Sequence, residues 1–211
     1  YGADATMDLP WWKPIIGMFY SVGTNGWMQH NIPLWFLTCL YLSELFLLLL
    51  LKITKNIAVW LICISVIGYI LSLYAIPIFP WSLNTVPQAM LFLGAGFLAK
   101  RFIREPKNVY AFMIFAICIL GAYFIEPLNG RVDMNSNSYG NWLLFVTSAA
   151  LGISAIIVLS QKINFTFVNM VGQHTLIIFL LHGVATSVFK GVVVFGLGFS
   201  LDIFESNITV N

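Results

Sequence analysis

The sequence predicts an all-α, polytopic membrane helix bundle with about six transmembrane helices, and three observations carry that prediction. Of 211 residues, 60% are hydrophobic and only 9% charged, whereas soluble domains average about 25% charged residues. Mean hydropathy is +0.90. Apolar runs approaching the ~20 residues needed to cross a bilayer recur along the chain, and none alternates with the two-residue period of a barrel strand. A soluble globule is excluded, because 10 basic and 8 acidic side chains cannot supply its polar skin. Disorder is excluded by the same apolar content.

The segments follow in order. Asp8 to Tyr20 is short and broken by Pro10 and Pro14. With Trp11, Trp12 and Tyr20 it suits an interfacial or half helix. Pro33 to Leu51 is the first span, with Glu44 as its only charge, and Ile57 to Ile78 is the second. The third runs from about Trp81 to Ala99 after the loop Pro77–Pro80, the fourth from Val109 to Ile125. The fifth covers Trp142 to Leu159 and the sixth about His174 to Lys190. Asn129–Asn141, rich in Asn, Ser and Gly, reads as the one long flexible loop.

The basic residues orient these spans. Lys52, Lys55, Lys100, Arg101, Arg104, Lys107 and Lys162 fall in alternate loops, seven of the 10 Lys and Arg. The positive-inside rule makes those loops cytoplasmic and predicts a multi-pass protein of the cell (inner) membrane, with the lipid bilayer as partner. A net charge of +2 without basic–aromatic interleaving argues against nucleic acid. Cys39, Cys63 and Cys118 sit singly in apolar runs and read as small buried hydrophobes, so neither a disulfide framework nor a metal site is expected. No internal repeat, Walker loop, Rossmann fingerprint, GxSxG or HExxH occurs.

Polar groups inside hydrocarbon are costly and call for a cavity or a partner. Glu44 lies ~15 Å into the first span, three residues from Tyr41 and six from Thr38. Either these form a polar cavity wall, or Glu44 is protonated and bonded to a neighbouring helix. His182 lies ~12 Å into the last span and begins a stripe with Thr186 and Lys190. It suits a general base, or a packing histidine bonded to a carbonyl. His30, in Asn25-Gly-Trp27-Met-Gln-His30, belongs to an external group of amides and aromatics suited to sugar hydroxyls or to an interfacial anchor. His174 reads as a helix cap.

Three segments carry a resemblance. Asn31-Ile-Pro-Leu-Trp35-Phe-Leu37, Pro80-Trp-Ser-Leu-Asn84 followed by Leu91-Phe-Leu-Gly94, and Val171-Gly-Gln-His-Thr-Leu-Ile-Ile-Phe-Leu-Leu-His182 resemble, in this order, stretches of membrane acyltransferase family 3. The nearest subgroup is the fucose 4-O-acetylase-like acetyltransferases of bacteria. The resemblance spans roughly residues 30 to 190. It implies transfer of an acetyl or other acyl group from cytoplasmic acetyl-CoA, a substrate and not a bound cofactor, to a hydroxyl of an envelope or exported carbohydrate. Trp35 matches the family's tryptophan and His182 its late histidine. The family's presumed catalytic histidine lies in a charged motif near its amino terminus, which nothing here matches. The chain is therefore expected to be the middle and C-terminal part of one acyltransferase domain, without its first helices and inactive alone. Lys100, Arg101 and Arg104 suit the phosphates of the donor, and equally the ordinary positive-inside signal. His30, Trp35 and Glu44 are the candidate acceptor-binding residues. The competing reading is a non-enzymatic permease or polysaccharide exporter component, with Glu44, His182 and Lys190 along a solute path.

Overall fold

A computed structural model describes residues 10, 12–24, 27, 34–74, 76–103, 106–163 and 165–196, apart from the side chains of Pro14, His182, Val184, Ser187 and Lys190. Among the described residues the fold is an all-α membrane helix bundle without strands. Its helices are α1 Trp12–Tyr20, α2 Trp35–Ile53, α3 Ile57–Ser72, α4 Val86–Ala99, α5 Asn108–Asn129, α6 Trp142–Ser160, α7 Thr166–Gln173 and α8 Thr175–Gly191. By length and composition α2, α5 and α6 can each cross a bilayer, and α3 is a shorter apolar helix.

Two expected spans are shorter than their hydropathy suggested. The second was expected to reach Ile78, but α3 stops at Ser72. Pro77 and Pro80 supply no N–H and push the residues before them toward extended backbone. The third was expected from Trp81, but α4 begins at Val86 with Pro87 in its first turn. A 3-10 turn, Pro80–Ser82, precedes it, with Trp81 at φ 58 and Ser82 at φ 53. The last expected span, about His174 to Lys190, is α8, and a separate short helix, α7, precedes it and ends at His174 (φ −105, ψ 11). In the other direction, α5 runs on through Pro127 to Asn129.

α4 is the central helix. It buries Val86, Gln88, Ala89, Met90, Leu91 and Gly94, and its apolar members pack with Cys39 and Leu47 of α2 and Leu61 of α3. Gly94 faces Leu61 while Gly68 faces Pro87, so α3 and α4 run antiparallel. α5 and α6 form a second antiparallel pair: Gly121 meets Leu151, and Ala111 shares a depression with Leu159. Phe145 of α6 joins this pair to the central helix through an edge-on contact with Phe92, 5.5 Å between ring centres. Outward faces carry large apolar side chains, such as Phe112 and Ile117 of α5, as a lipid-bathed surface requires. Of the three cysteines, Cys39 and Cys118 are buried as expected, whereas Cys63 is exposed on α3.

These pairings gather Lys52, Lys55, Lys100, Arg101, Lys107 and Lys162 at one end of the bundle. The starts of α2, α4 and α6 lie at the other.

The α3–α4 contact yields a test. A β-carbon at Gly68 would come 2.5 Å from Cβ of Pro87, a rigid ring, whereas one at Gly94 would meet the branched end of the Leu61 side chain, which can change rotamer. Gly68→Ala is expected to cost about 1–3 kcal/mol by overpacking and Gly94→Ala less. Melting of the detergent-solubilised variants should show the larger loss at Gly68.

Candidate functional site

The end of the bundle opposite the basic residues is built from hydroxyls, amides and strained backbone. After α1 the chain turns at Ser21, a buried residue with φ 51. Its hydroxyl is 2.9 Å from that of Thr38 on α2, and its carbonyl accepts from Ser82 Oγ at 3.4 Å. Trp81 Nε1 donates to the Phe19 carbonyl at 2.8 Å. Thr85 Oγ1 donates to the Met134 carbonyl at 2.9 Å, tying α4 to the α5–α6 loop. Ser21, Trp81 and Ser82 are all left-handed without being glycine, a conformation costing about 1–2 kcal/mol per residue. Such strain gathers where the surrounding structure fixes a functional shape.

One turn deeper sits a fully buried amide. Gln88 Oε1 accepts from Ser65 Oγ at 2.5 Å and from Trp142 Nε1 at 3.2 Å, while its Nε2 donates to the Ser65 carbonyl at 2.8 Å. This knot joins α3, α4 and α6. With no competing water in hydrocarbon, a buried amide persists there only if its partners are supplied by the protein.

The loop between α5 and α6, expected to be flexible, is folded. Asn129 at its start holds its far end, donating from Nδ2 to the Tyr139 carbonyl at 3.0 Å and accepting from the Asn141 N–H at 2.6 Å. Asp133 Oδ1 accepts from the N–H of Asn135 at 3.0 Å, and Asp133 pairs with Ser138 through the backbone. The Asn141 side chain caps α6. This brings Asn135 and Tyr139 inward, at 7% and 2% exposure. The Tyr139 hydroxyl and the Asn135 side-chain oxygen are buried without a regular hydrogen bond. Buried polar atoms of this kind call for a water or a ligand. Burial pushes the Tyr139 hydroxyl above the ordinary tyrosine range, with neighbouring Thr85 acting weakly the other way. It therefore stays a protonated donor at neutral pH.

Trp35, the first residue of α2, belongs to this site. A β-carbon at Gly23 would fall 2.5 Å from Asn135 Oδ1 and 2.7 Å from Trp35 Cδ1, so only glycine lets these groups meet. His30 lies outside the described residues. Trp27 packs on Tyr20 at 4.9 Å between rings, with Lys13 above it at 5.4 Å. Thr38 turns into the site, but Tyr41 and Glu44 are exposed on α2, so the expected wall of these three does not form. Six residues on a helix at ~100° per residue leave Glu44 ~120° around the axis from Thr38.

For His182 the structure gives backbone position alone. It stands one turn after Phe179, whose ring meets Phe36 in the first turn of α2 at 5.7 Å. Three residues rise ~4.5 Å, so His182 falls within one turn of the level of Phe36 and Trp35. His174 ends α7, its Nδ1 2.8 Å from the Met170 carbonyl. Lys100 and Arg101 are exposed at the far end, Arg101 over the Phe102 ring at 4.7 Å, and Arg104 lies outside the described residues. Among the described residues no three His, Cys, Asp or Glu side chains converge as metal ligands would.

Ser82, Thr85, Gln88, Asn135 and Tyr139 were not singled out by chemistry from the sequence. The available signals were Gln88 as an amide within an apolar run and Ser82 inside the Pro80–Asn84 segment. A family model described as an acyltransferase domain, that of acyltransferase family 3, matches residues 3–208. No curated protein and no solved structure matches the chain.

Proposed function

The chain belongs to acyltransferase family 3 and is a membrane acyltransferase domain; from that premise we propose that it moves an acetyl group from cytoplasmic acetyl-CoA to a hydroxyl of an envelope carbohydrate, as a multi-pass protein of the inner membrane. Within the family, the fucose 4-O-acetylase-like subgroup is the proposed place. The observation that carries the acceptor half is the presence at this end of two buried groups without a regular hydrogen bond, the Tyr139 donor near Thr85 and the Asn135 acceptor near Trp35, the complement of a sugar hydroxyl. Trp35 offers an apolar face for the C–H side of a sugar ring. The anionic donor belongs at the basic end, where Lys100 and Arg101, with Arg104, attract its phosphates.

In the proposed reaction His182 takes the proton of the sugar hydroxyl, acting as general base. The sugar oxygen forms a bond to the thioester carbon, the carbon–sulfur bond breaks, and the thiolate leaves with the proton. Hydrogen-bond donors near the carbonyl stabilise the oxyanion. His30 and Trp35 bind the acceptor. Glu44, exposed on α2, has no part in this proposal.

The test uses the full-length protein in cells, with O-acetylation of envelope glycans measured by mass spectrometry. Tyr139→Phe removes a hydroxyl that has no regular partner, so stability should hold or rise. Glycan acetylation should fall about tenfold, the equivalent of one lost hydrogen bond. Unchanged acetylation would remove Tyr139 from the acceptor site. If the intact protein acylates no glycan, the carbohydrate reading fails.

A further inference from the structure

Between the start of α5 and the end of α6 lies a cleft of about 310 Å³. Ala111, buried between the two helices, is small and leaves this space open. The body of the cleft is apolar, with Phe112, Phe115 and Leu159 along it. Its rim is polar: Asn108 and Lys162 line it, and the exposed Lys107 precedes Asn108 in the chain. From Asn108 to Phe115 is seven residues, or ~10.5 Å along α5. The cleft therefore passes from the headgroup level of a bilayer into its hydrocarbon.

Two observations give the rim its sign. No acidic side chain stands at this end among the described residues, and Glu105 lies outside them. α5 has no side-chain cap and no acidic residue in its first turn. Its first N–H groups have no partner within the helix, and they bring the positive end of the helix dipole to the same rim as Lys107 and Lys162. A neighbouring hollow shares Leu159, but its polar residues are Ser160, Asn169 and Gln173, all neutral. Charge separates the two.

A soluble anion would use the rim and leave the apolar body empty. A zwitterionic lipid would fill the body but bring its own cation to the lysines. A lipid of net negative headgroup satisfies both parts, as basic pockets between membrane helices do for such headgroups. We infer that this cleft seats an anionic phospholipid of the cytoplasmic leaflet. Its phosphate lies at Lys107, Lys162 and the first turn of α5, and an acyl chain runs along Phe112 and Phe115. So held, the lipid ties the start of α5 to the connection between α6 and α7, where Lys162 stands. The seat is independent of the proposed reaction.

The experiment is native mass spectrometry of the full-length protein released from nanodiscs of phosphatidylglycerol and phosphatidylcholine in equal amounts. Melting temperature and acetyl-CoA affinity are measured on each variant. Wild type should retain phosphatidylglycerol about thirtyfold over phosphatidylcholine, since each cation at the membrane surface contributes about fivefold. Lys107→Gln with Lys162→Gln should hold the two lipids about equally and bind acetyl-CoA as wild type does. Arginine at both positions should keep the preference. Should the double glutamine variant melt lower, Lys107→Gln alone, at an exposed side chain, should still lose about fivefold. Lys52→Gln with Lys55→Gln takes the same charge from the same end, away from the cleft, and should leave the preference unaltered. An equal loss from that pair would make the attraction a property of the whole basic end and overturn the seat. Equal retention of both lipids by wild type would overturn it as well. A fall in acetyl-CoA affinity with phosphatidylglycerol still retained would assign Lys107 and Lys162 to the donor instead.

Discussion

Replacing His182 by glutamine is expected to lower acyl transfer by a factor of about 10²–10⁴, the range over which a positioned general base contributes. Glutamine retains hydrogen-bonding capacity and approximate size, but it cannot accept and release a proton near neutral pH. The register set by Phe179 on Phe36 keeps residue 182 near the level of Trp35, so the variant should melt with wild type. A packing histidine and a base differ most in pH dependence. With His182 as base, wild-type transfer rises with pH as the imidazole loses its proton, and His182→Gln loses that limb. Full activity with the limb retained would return His182 to a structural role and leave the acyltransferase assignment intact.

Gln88→Leu is expected to cost about 1–3 kcal/mol of stability. Interhelical hydrogen bonds in membranes are worth about 0.6–1.7 kcal/mol each, and Gln88 makes three, two to Ser65 and one to Trp142. Leucine removes all of them and leaves the Ser65 hydroxyl and the indole N–H of Trp142 to satisfy each other. Adding Ser65→Ala should cost less than the sum of the separate losses, since both residues belong to one network. Thermal or denaturant unfolding in a fixed detergent measures this cycle. Simple additivity would mean that the knot is not an energetic unit. Because Gln88 lies one turn beneath Thr85, the variant should also loosen the α4 side of the acceptor site.

Much of this architecture was legible in the sequence because the membrane imposes a coarse rule. Apolar length marked α2, α5 and α6 to within a few residues, and the basic loops marked the end where Lys100 and Lys162 lie. What hydropathy could not supply was direction around each helix. With nearly every position apolar, no polar face remains to show which way a residue turns. Glu44 was therefore left between a wall shared with Thr38 and a bond to a neighbouring helix, whereas the structure exposes it and turns Thr38 inward. Attention to ionisable groups also passed over Gln88, an uncharged amide that is completely buried. The left-handed Trp81 and Ser82 were invisible, because neither is Gly, Asn or Asp, the residues that take up that conformation readily. The loop Asn129–Asn141 misled in the opposite sense: its Asn and Ser residues suggested mobility, yet the same side chains close it and bury Tyr139. Trp35 was placed at the site through resemblance, and Gly23 shows the close approach that holds it there.

The central claim is that donor and acceptor meet the protein from opposite ends of the bundle. The direct measurement is transfer of labelled acetyl from acetyl-CoA to glycan in sealed proteoliposomes of the full-length protein, with its orientation determined by protease access to the loop holding Lys100 and Arg101. Labelled glycan should form when acetyl-CoA is on the side of that loop and the glycan on the other, and not when the two are exchanged. Label appearing only with donor and glycan together on one side, or no labelled glycan in any arrangement, would contradict it.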